Sequence, residues 1–244
     1  MIFAELLQTN HESEIGMNMK ARIPKPVEIL LWVYGVGLAG MLLPFSRDIF
    51  RSITPLNLIF ATLFLFWGRW PARRVIISGL FIAVASFFIE AAGVNTGKIF
   101  GTYAYGRTLG PALLNTPLII GLNWFLLIYC TNVISRRLWD RLPFNTVALV
   151  PRFTKFLFII ITGSLLMVMY DIILEPAAVR LDMWSWECGV IPLQNYLAWF
   201  FLSAVFHTMT RVWGEEEPND RALPLFVVQL VFFAVIDLFY LLFP

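Results

Sequence analysis

The chain has 244 residues, 59% of them hydrophobic and 14% charged, with 23 Phe, and its mean hydropathy is +0.76. Such values exclude an ordinary soluble domain, and the length allows roughly seven membrane spans of about 20 residues with no room for a separate soluble domain. The net charge of +2 carries no nucleic-acid signature, so no nucleic-acid partner is expected.

Residues 1–26 read as a polar tail without the apolar core of a signal peptide, with Met17 and Met19 as alternative initiators, and residues 27–244 as a single transmembrane helical domain. Seven apolar segments follow in order, at 28–45, 54–67, 75–93, 113–134, 153–174, 192–210 and 223–243, the second of them short. Turn-forming and charged residues separate them, for example at 68–74, 136–143 and 214–218. The expected fold is all-α, a polytopic membrane protein with a bundle of about seven transmembrane helices. Thirteen of the 18 Lys and Arg residues fall on the tail and on the loops after the second, fourth and sixth segments. Positive charge is retained on the cytoplasmic side, so the N-terminus is expected in the cytoplasm and the C-terminus outside, in a bacterial inner membrane. Cys130 and Cys188 fall on opposite sides in this topology, and no structural disulfide is expected between them.

Six polar residues lie inside the apolar segments, all in their outer halves: Glu90, Asn123, Asp171, Glu175, Asn195 and Asp237. Taken singly, Asn123, Asn195 and Gln229 are ordinary interhelical bonding groups at about 0.6–2 kcal/mol each, and Glu90 and Glu175 suit an interfacial position. Asp171 and Asp237 are harder to explain that way, because an ionised carboxylate near the bilayer centre costs at least about 2.5–3.5 kcal/mol. Asp171 and Glu175 are four residues apart, on one helix face, just before Pro176, which is expected to stop the helix. Two such carboxyls share protons, which keeps one neutral and acidic.

Two loops follow these carboxylates, at 93–111 and 175–200, and both mix aromatics with Gly and Pro. An interfacial aromatic belt accounts for Tyr103, Tyr105, Trp184 and Trp186 one at a time. The glycines at 93, 97, 101, 106 and 110 favour more than a belt, namely a functional lid folded closely over something.

Missing residues remove several chemistries. The last Lys is Lys155, so the seventh segment has none for a retinal Schiff base, and His11 and His207 are too few for a membrane di-iron centre. His207 reads as a satisfied core residue. Residues 93–98 lack phosphate-loop spacing, and no Asp-rich pair for Mg-diphosphate or home for a redox cofactor is visible. No metal and no cofactor are expected. What is left is acid and base chemistry on an apolar substrate.

Residues 90–124 (EAAGVNTGKIFGTYAYGRTLGPALLNTPLIIGLNW) and 171–200 (DIILEPAAVRLDMWSW followed by IPLQNYLAWF) resemble the carotenoid biosynthesis family of integral membrane carotenoid hydratases, of the γ-carotene 1′-hydratase and bisanhydrobacterioruberin hydratase type. The resemblance implies addition of water across the terminal isopropylidene double bond of an acyclic carotenoid end, giving a tertiary alcohol without a cofactor. It also implies a carotenoid substrate, membrane lipid and other enzymes of the carotenoid pathway as partners.

The residues suit that reaction independently. A desolvated carboxyl can protonate an alkene, aromatic faces can flank the tertiary cation, and a second carboxylate with carboxamides can position water. The expected roles are Asp171 as general acid, Glu175 as its partner and Glu90 as the base that activates water, with acid and base exchangeable. Asn123, Asn195 and Asp237 fix the network, Tyr103, Tyr105, Trp124, Trp184, Trp186 and Trp199 line the site, and Asn95 joins the substrate- and water-binding group. Two rivals remain. A membrane carotenoid cyclase would use the same acids in a drier pocket, and a lipid or proton-coupled transporter would continue a polar path toward the cytoplasm, where only His207 and Gln229 offer themselves.

Overall fold

The computed structural model describes residues 24–68, 70–143, 152–212 and 218–243. Residues 1–23 of the expected tail, with His11, Lys20 and Arg22, lie outside the described residues, as do Arg69 and the break at 214–217.

Among the described residues the helices run in the order α1 (Lys25–Leu42), α2 (Arg47–Ser52), α3 (Thr54–Leu65), α4 (Arg73–Thr96), α5 (Ile120–Asp140), α6 (Arg152–Arg180), α7 (Leu193–Val212) and α8 (Ala222–Leu242). Four short strands lie in the connections: β1 (Tyr103–Tyr105), β2 (Ala112–Leu113), β3 (Thr116–Pro117) and β4 (Trp184–Trp186). Helices α1 and α3 each carry a proline in the first turn, where its fixed φ suits the helix and its missing N–H is not needed. Helix α4 ends at Gly97, whose left-handed φ of 66° lets its N–H return to the Gly93 carbonyl at 2.8 Å.

Helices α1, α4, α6 and α8 are long and apolar enough to cross a membrane. Their outward faces are apolar as well, with Trp32, Leu80, Phe88, Leu165 and Val231 all exposed. No aqueous surface would favour that pattern, whereas hydrocarbon does. Helix α3, with 12 residues, is shorter. Helices α5 and α7 are less apolar for a reason visible in their packing. Helix α5 sits in the middle of the bundle, against α4, α6 and α8, and every residue from 126 to 135 is buried. Its polar side chains meet those of α7: Asn132 Nδ2 donates to Thr210 Oγ1 at 2.8 Å, and Thr131 Oγ1 lies 3.0 Å from His207 Nε2. The other ring nitrogen of His207 is 2.6 Å from the Ser203 carbonyl, so this buried histidine is the satisfied core residue expected.

The structure differs from the sequence reading in three places. The fourth apolar segment was placed from 113, but α5 starts at Ile120; residues 112–117 form a tight hairpin, β2 against β3, turned by left-handed Leu114 and Asn115. Hydropathy cannot separate an apolar hairpin from the first turns of a helix. Pro176 does not stop the helix of the fifth apolar segment, because α6 continues through it to Arg180. Proline there removes one backbone bond, but the turn beyond it buries Ala177, Ala178 and Leu181 completely, and that packing keeps the chain helical. Finally, the connections of this mostly helical bundle carry strands that the sequence reading did not assign: β1 and β4 join the two long loops, pairing Tyr103 with Trp186 and Tyr105 with Trp184 in an antiparallel ladder. No disulfide links Cys130, which is buried, to Cys188, which is exposed.

Helices α4 and α5 are in close contact at Gly121, where an added Cβ would collide with the Ala83 backbone carbonyl. A backbone oxygen cannot swing aside as a side chain can. Gly121→Val is therefore expected to destabilise the bundle by roughly 1–3 kcal/mol, measured as a lower Tm in detergent; an unchanged Tm would mean that the two helices separate there at no cost.

Candidate active site

The site is built from four helix ends. Glu90 stands in the last turns of α4 and Trp124 in the first of α5, while Asp171 and Glu175 lie late in α6 and Asn195 and Trp199 early in α7. The loops that connect these ends, 97–119 and 181–192, close over them. Glu90, Asp171, Glu175 and Asn195 are all buried.

Glu90 is held by three donors. Tyr103 and Tyr105 donate their hydroxyls to its Oε2 at 2.6 and 2.8 Å, and Trp124 donates its indole N–H to Oε1 at 2.8 Å. Glu175 has a parallel arrangement, with the indole N–H groups of Trp184 and Trp186 on Oε2 at 2.9 and 2.8 Å. Asn195 Nδ2 bridges the two acids of α6, donating to Asp171 Oδ2 at 2.6 Å and to Glu175 Oε1 at 3.3 Å. Asp171 is the least supported of the three: its Oδ1 is buried and meets no hydrogen-bond partner among the described residues.

The β1–β4 ladder explains how loops distant in sequence deliver these donors to adjacent carboxyls. Strand residues alternate faces, so Tyr103 and Tyr105 point inward together, as do Trp184 and Trp186, and the register sets each phenol beside an indole. The Tyr103 and Trp186 rings lie 5.1 Å apart, and Tyr105 meets Trp184 edge-on at 6.3 Å. Below them Trp124 stacks on Trp199 at 4.6 Å. Asp182 and its neighbours lock the two loops further: Gly106 N–H donates to the Met183 carbonyl at 2.9 Å, and the buried Thr108 hydroxyl donates to the Leu181 carbonyl at 2.6 Å. Burial, reinforced by the charge of Glu90, pushes the Tyr103 and Tyr105 phenols well above the usual tyrosine range.

An apolar cavity of about 510 Å³ adjoins this cluster. Its wall includes Tyr170 and Leu174 of α6, the residues immediately before Asp171 and Glu175, so cavity and carboxyls lie on adjoining faces of one helix. Trp184 belongs to both, because its ring lines the cavity and its N–H is bonded to Glu175. The mouth is edged by the exposed side chains Trp32, Val36 and Leu56.

Of the residues singled out from sequence, Glu90, Tyr103, Tyr105, Trp124, Asp171, Glu175, Trp184, Trp186, Asn195 and Trp199 come together in one cluster. Three stand apart. Asn123 lines the cavity instead. Asn95 is exposed and serves the β2–β3 hairpin, donating to the Leu114 carbonyl at 2.9 Å and accepting from Asn115 at 2.8 Å. Asp237 is half-buried and faces the charge of Arg180, whose guanidinium packs on the Tyr240 ring at 5.1 Å. Sequence reasoning missed Thr108, Asp182, and the cavity residues Tyr34 and Asn57. For the last two the signal was the one that found the carboxyls, a polar group inside an apolar segment. Among the described residues no group of three or more His, Cys, Asp or Glu side chains is placed to hold a metal ion.

A helical bundle with apolar outer faces, built around a carboxylate cluster roofed by aromatic loops, defines a membrane-embedded protein with a polar site at one end. Residues 53–243 match the family model described as carotenoid biosynthesis protein, and the chain belongs to that family. It is 26% identical over 173 residues to the bisanhydrobacterioruberin hydratase of Haloarcula japonica, an alignment that covers 64% of this chain and 55% of that protein. The chain thus spans little more than half the length of this curated relative. No solved structure gives a significant match.

Two outcomes follow from the bonding. Glu90→Ala strands two phenols and an indole N–H in the interior and is expected to cost several times the loss from Tyr105→Phe, which removes one bond at roughly 1–3 kcal/mol; thermal unfolding in detergent compares them. The raised phenols contribute stability that is fully present below the unfolded tyrosine value of about 10 and is lost as pH rises above it. Alkaline absorbance titration should therefore show fewer than the 7 tyrosines ionising before unfolding, and Tyr103→Phe/Tyr105→Phe should leave that early step unchanged.

Proposed function

We propose that this chain is a carotenoid hydratase, a cofactor-independent hydro-lyase that adds water across the terminal isopropylidene C=C of an acyclic carotenoid end to give a tertiary 1′-hydroxy group. The observation that carries the reading is Trp184, which joins an apolar cavity to a cluster of three buried carboxyls. Membership of the carotenoid biosynthesis family supports the substrate class, and similarity to a protein named as a hydratase supports the reaction.

In this reading the seven longer apolar helices, α1 and α3 to α8, all cross the membrane, α3 as a short span. The polar side chains of α5 and α7 are directed at each other, not at lipid, which is how a less hydropathic helix is accommodated in a bundle. The N-terminus is cytoplasmic and the site lies toward the outer face of a bacterial inner membrane, where water can arrive.

The end group enters from lipid between Trp32, Val36 and Leu56 and lies against Trp184. Asp171 supplies the proton, because it is the acid with the fewest donors: one amide on Oδ2 and no partner on Oδ1. Glu90 and Glu175, each held by several N–H or O–H groups, are arranged as acceptors. Turning of the Trp184 indole out of the wall brings the acid pair to the double bond. The proton adds to the CH carbon, leaving a tertiary cation flanked by aromatic faces. Water forms the C–O bond, and the oxonium proton passes through the Tyr103 or Tyr105 hydroxyl to Glu90, whose proton then returns to Asp171. The balance is alkene plus water to alcohol.

Expression in a host that accumulates lycopene or γ-carotene tests the reading, with pigments examined by mass. Wild type should add one water per acyclic end. A ring-bearing isomer of unchanged mass would instead indicate ring closure, and no change at good expression would reject both. Asp171→Asn should lower product at least 100-fold, within the usual 10²–10⁴ contribution of a general acid, with the protein still folded in the membrane.

A further inference from the structure

The cavity carries polar side chains of its own. Tyr34 from α1, Asn57 from α3 and Gln229 from α8 all line it. Gln229 is only 2% exposed, among the rings of Tyr170, Phe232 and Phe233 that share the wall. Its Nε2 donates to the Tyr34 hydroxyl at 3.0 Å, and Asn57 lies beside the same hydroxyl. Its Oε1 is buried and meets no donor among the described residues. A carboxamide in apolar surroundings is costly unless both its ends are bonded. Here one end is fixed by a tyrosine, which also fixes the direction of the other, and that other end is an acceptor on a side chain that lines a cavity large enough for a ligand.

An acceptor is what a nucleophilic water needs. A water that donates a hydrogen bond to a carbonyl keeps both lone pairs free, whereas a water that accepts from an N–H or O–H has one of them engaged and its oxygen made less nucleophilic. We propose that Gln229, oriented by Tyr34, holds the attacking water in the cavity with its lone pair toward the cationic carbon of the end group; this rests on the hydratase reading above. The balance is unchanged: Asp171 gives the proton to the alkene carbon, the Gln229-bound water forms the C–O bond, and one proton leaves the oxonium for the carboxylates. Where the water is not held, the cation has a different exit, loss of a proton from an adjacent methyl carbon to a carboxylate, while loss from the methylene carbon only regenerates the substrate. Loss from the methyl returns an alkene isomer with the mass of the substrate.

The partition between these exits is the test. Wild type, Gln229→Leu, Gln229→Glu and Tyr34→Phe are expressed in the carotenoid-producing host, protein in the membrane is quantified, and hydrated and isomerised products are separated and weighed. Gln229→Leu should lower the ratio of hydrated to isomerised product roughly 10- to 100-fold, comparable to the cost of misplacing a reacting group. Gln229→Glu, which keeps an acceptor, should restore most of the ratio, and Tyr34→Phe, which frees the amide to turn, should fall between. A uniform loss of all products at an unchanged ratio, or a wild-type ratio in both Gln229→Leu and Tyr34→Phe, would overturn the proposal and leave the hydratase reading standing. Absence of hydrated product from wild type would overturn both. If Gln229→Leu fails to accumulate, Tyr34→Phe decides alone, since it removes a single oxygen.

Discussion

Carboxylates placed inside an apolar bundle need donors, and the helix backbones around them have none to spare, because their own N–H groups are committed to the i−4 carbonyls. In this protein four of the donors come from the loops, beside the Trp124 indole and the Asn195 amide of the helices. Tyr103 and Tyr105 arrive on one loop and Trp184 and Trp186 on the other, and the four reach two glutamates on different helices. This makes lid and bundle mutually dependent. The ladder between β1 and β4 is only three residues long, too short to persist by itself in water, yet its inner face is fastened to Glu90 and Glu175. The glutamates in turn tolerate burial because the ladder closes over them.

The same dependence explains the extension of α6 beyond Pro176. If the helix ended there, the chain would leave the bundle before Ala178, whose carbonyl accepts from Met183 N–H at 2.9 Å to start the turn into β4. Trp184 and Trp186 reach Glu175 only because α6 carries the chain one more turn and then doubles back with Asp182 in a left-handed conformation, φ 57°. A proline rule drawn from isolated helices is outweighed by tertiary bonds.

Much of this was legible in advance, and unevenly. Apolar segments and the acids within them can be read from composition along the chain, because burial of charge is costly wherever it occurs. Glu90, Asp171, Glu175 and Asn195 were found that way, and their loops were recognised as more than connectors. The pairing of Tyr103 with Trp186 was not legible, since short strands have no periodicity to detect and the partners are 83 residues apart. The boundary at Ile120 was hidden by an apolar hairpin. Tyr34 and Asn57 were passed over because one polar atom on an apolar segment looks like a helix contact until a cavity is found beside it.

A cavity is also what separates one unpartnered buried atom from another. Asn132 Oδ1 and Ser164 Oγ lack partners among the described residues too, but both residues are buried away from the cavity wall. Gln229 Oε1 has the same deficit beside space. Asp171 Oδ1 lies on a face of α6 that adjoins that space, one residue from Tyr170. Glu90, with a donor on each oxygen and two on one, has nothing left to complete. The fold thus finishes the hydrogen bonds of Glu90 that hold the loops, while Gln229 and Asp171 each keep an unmet acceptor. An unmet acceptor costs the free protein stability, and a bound water or substrate that meets it recovers that loss only when it occupies the place the amide or carboxyl defines.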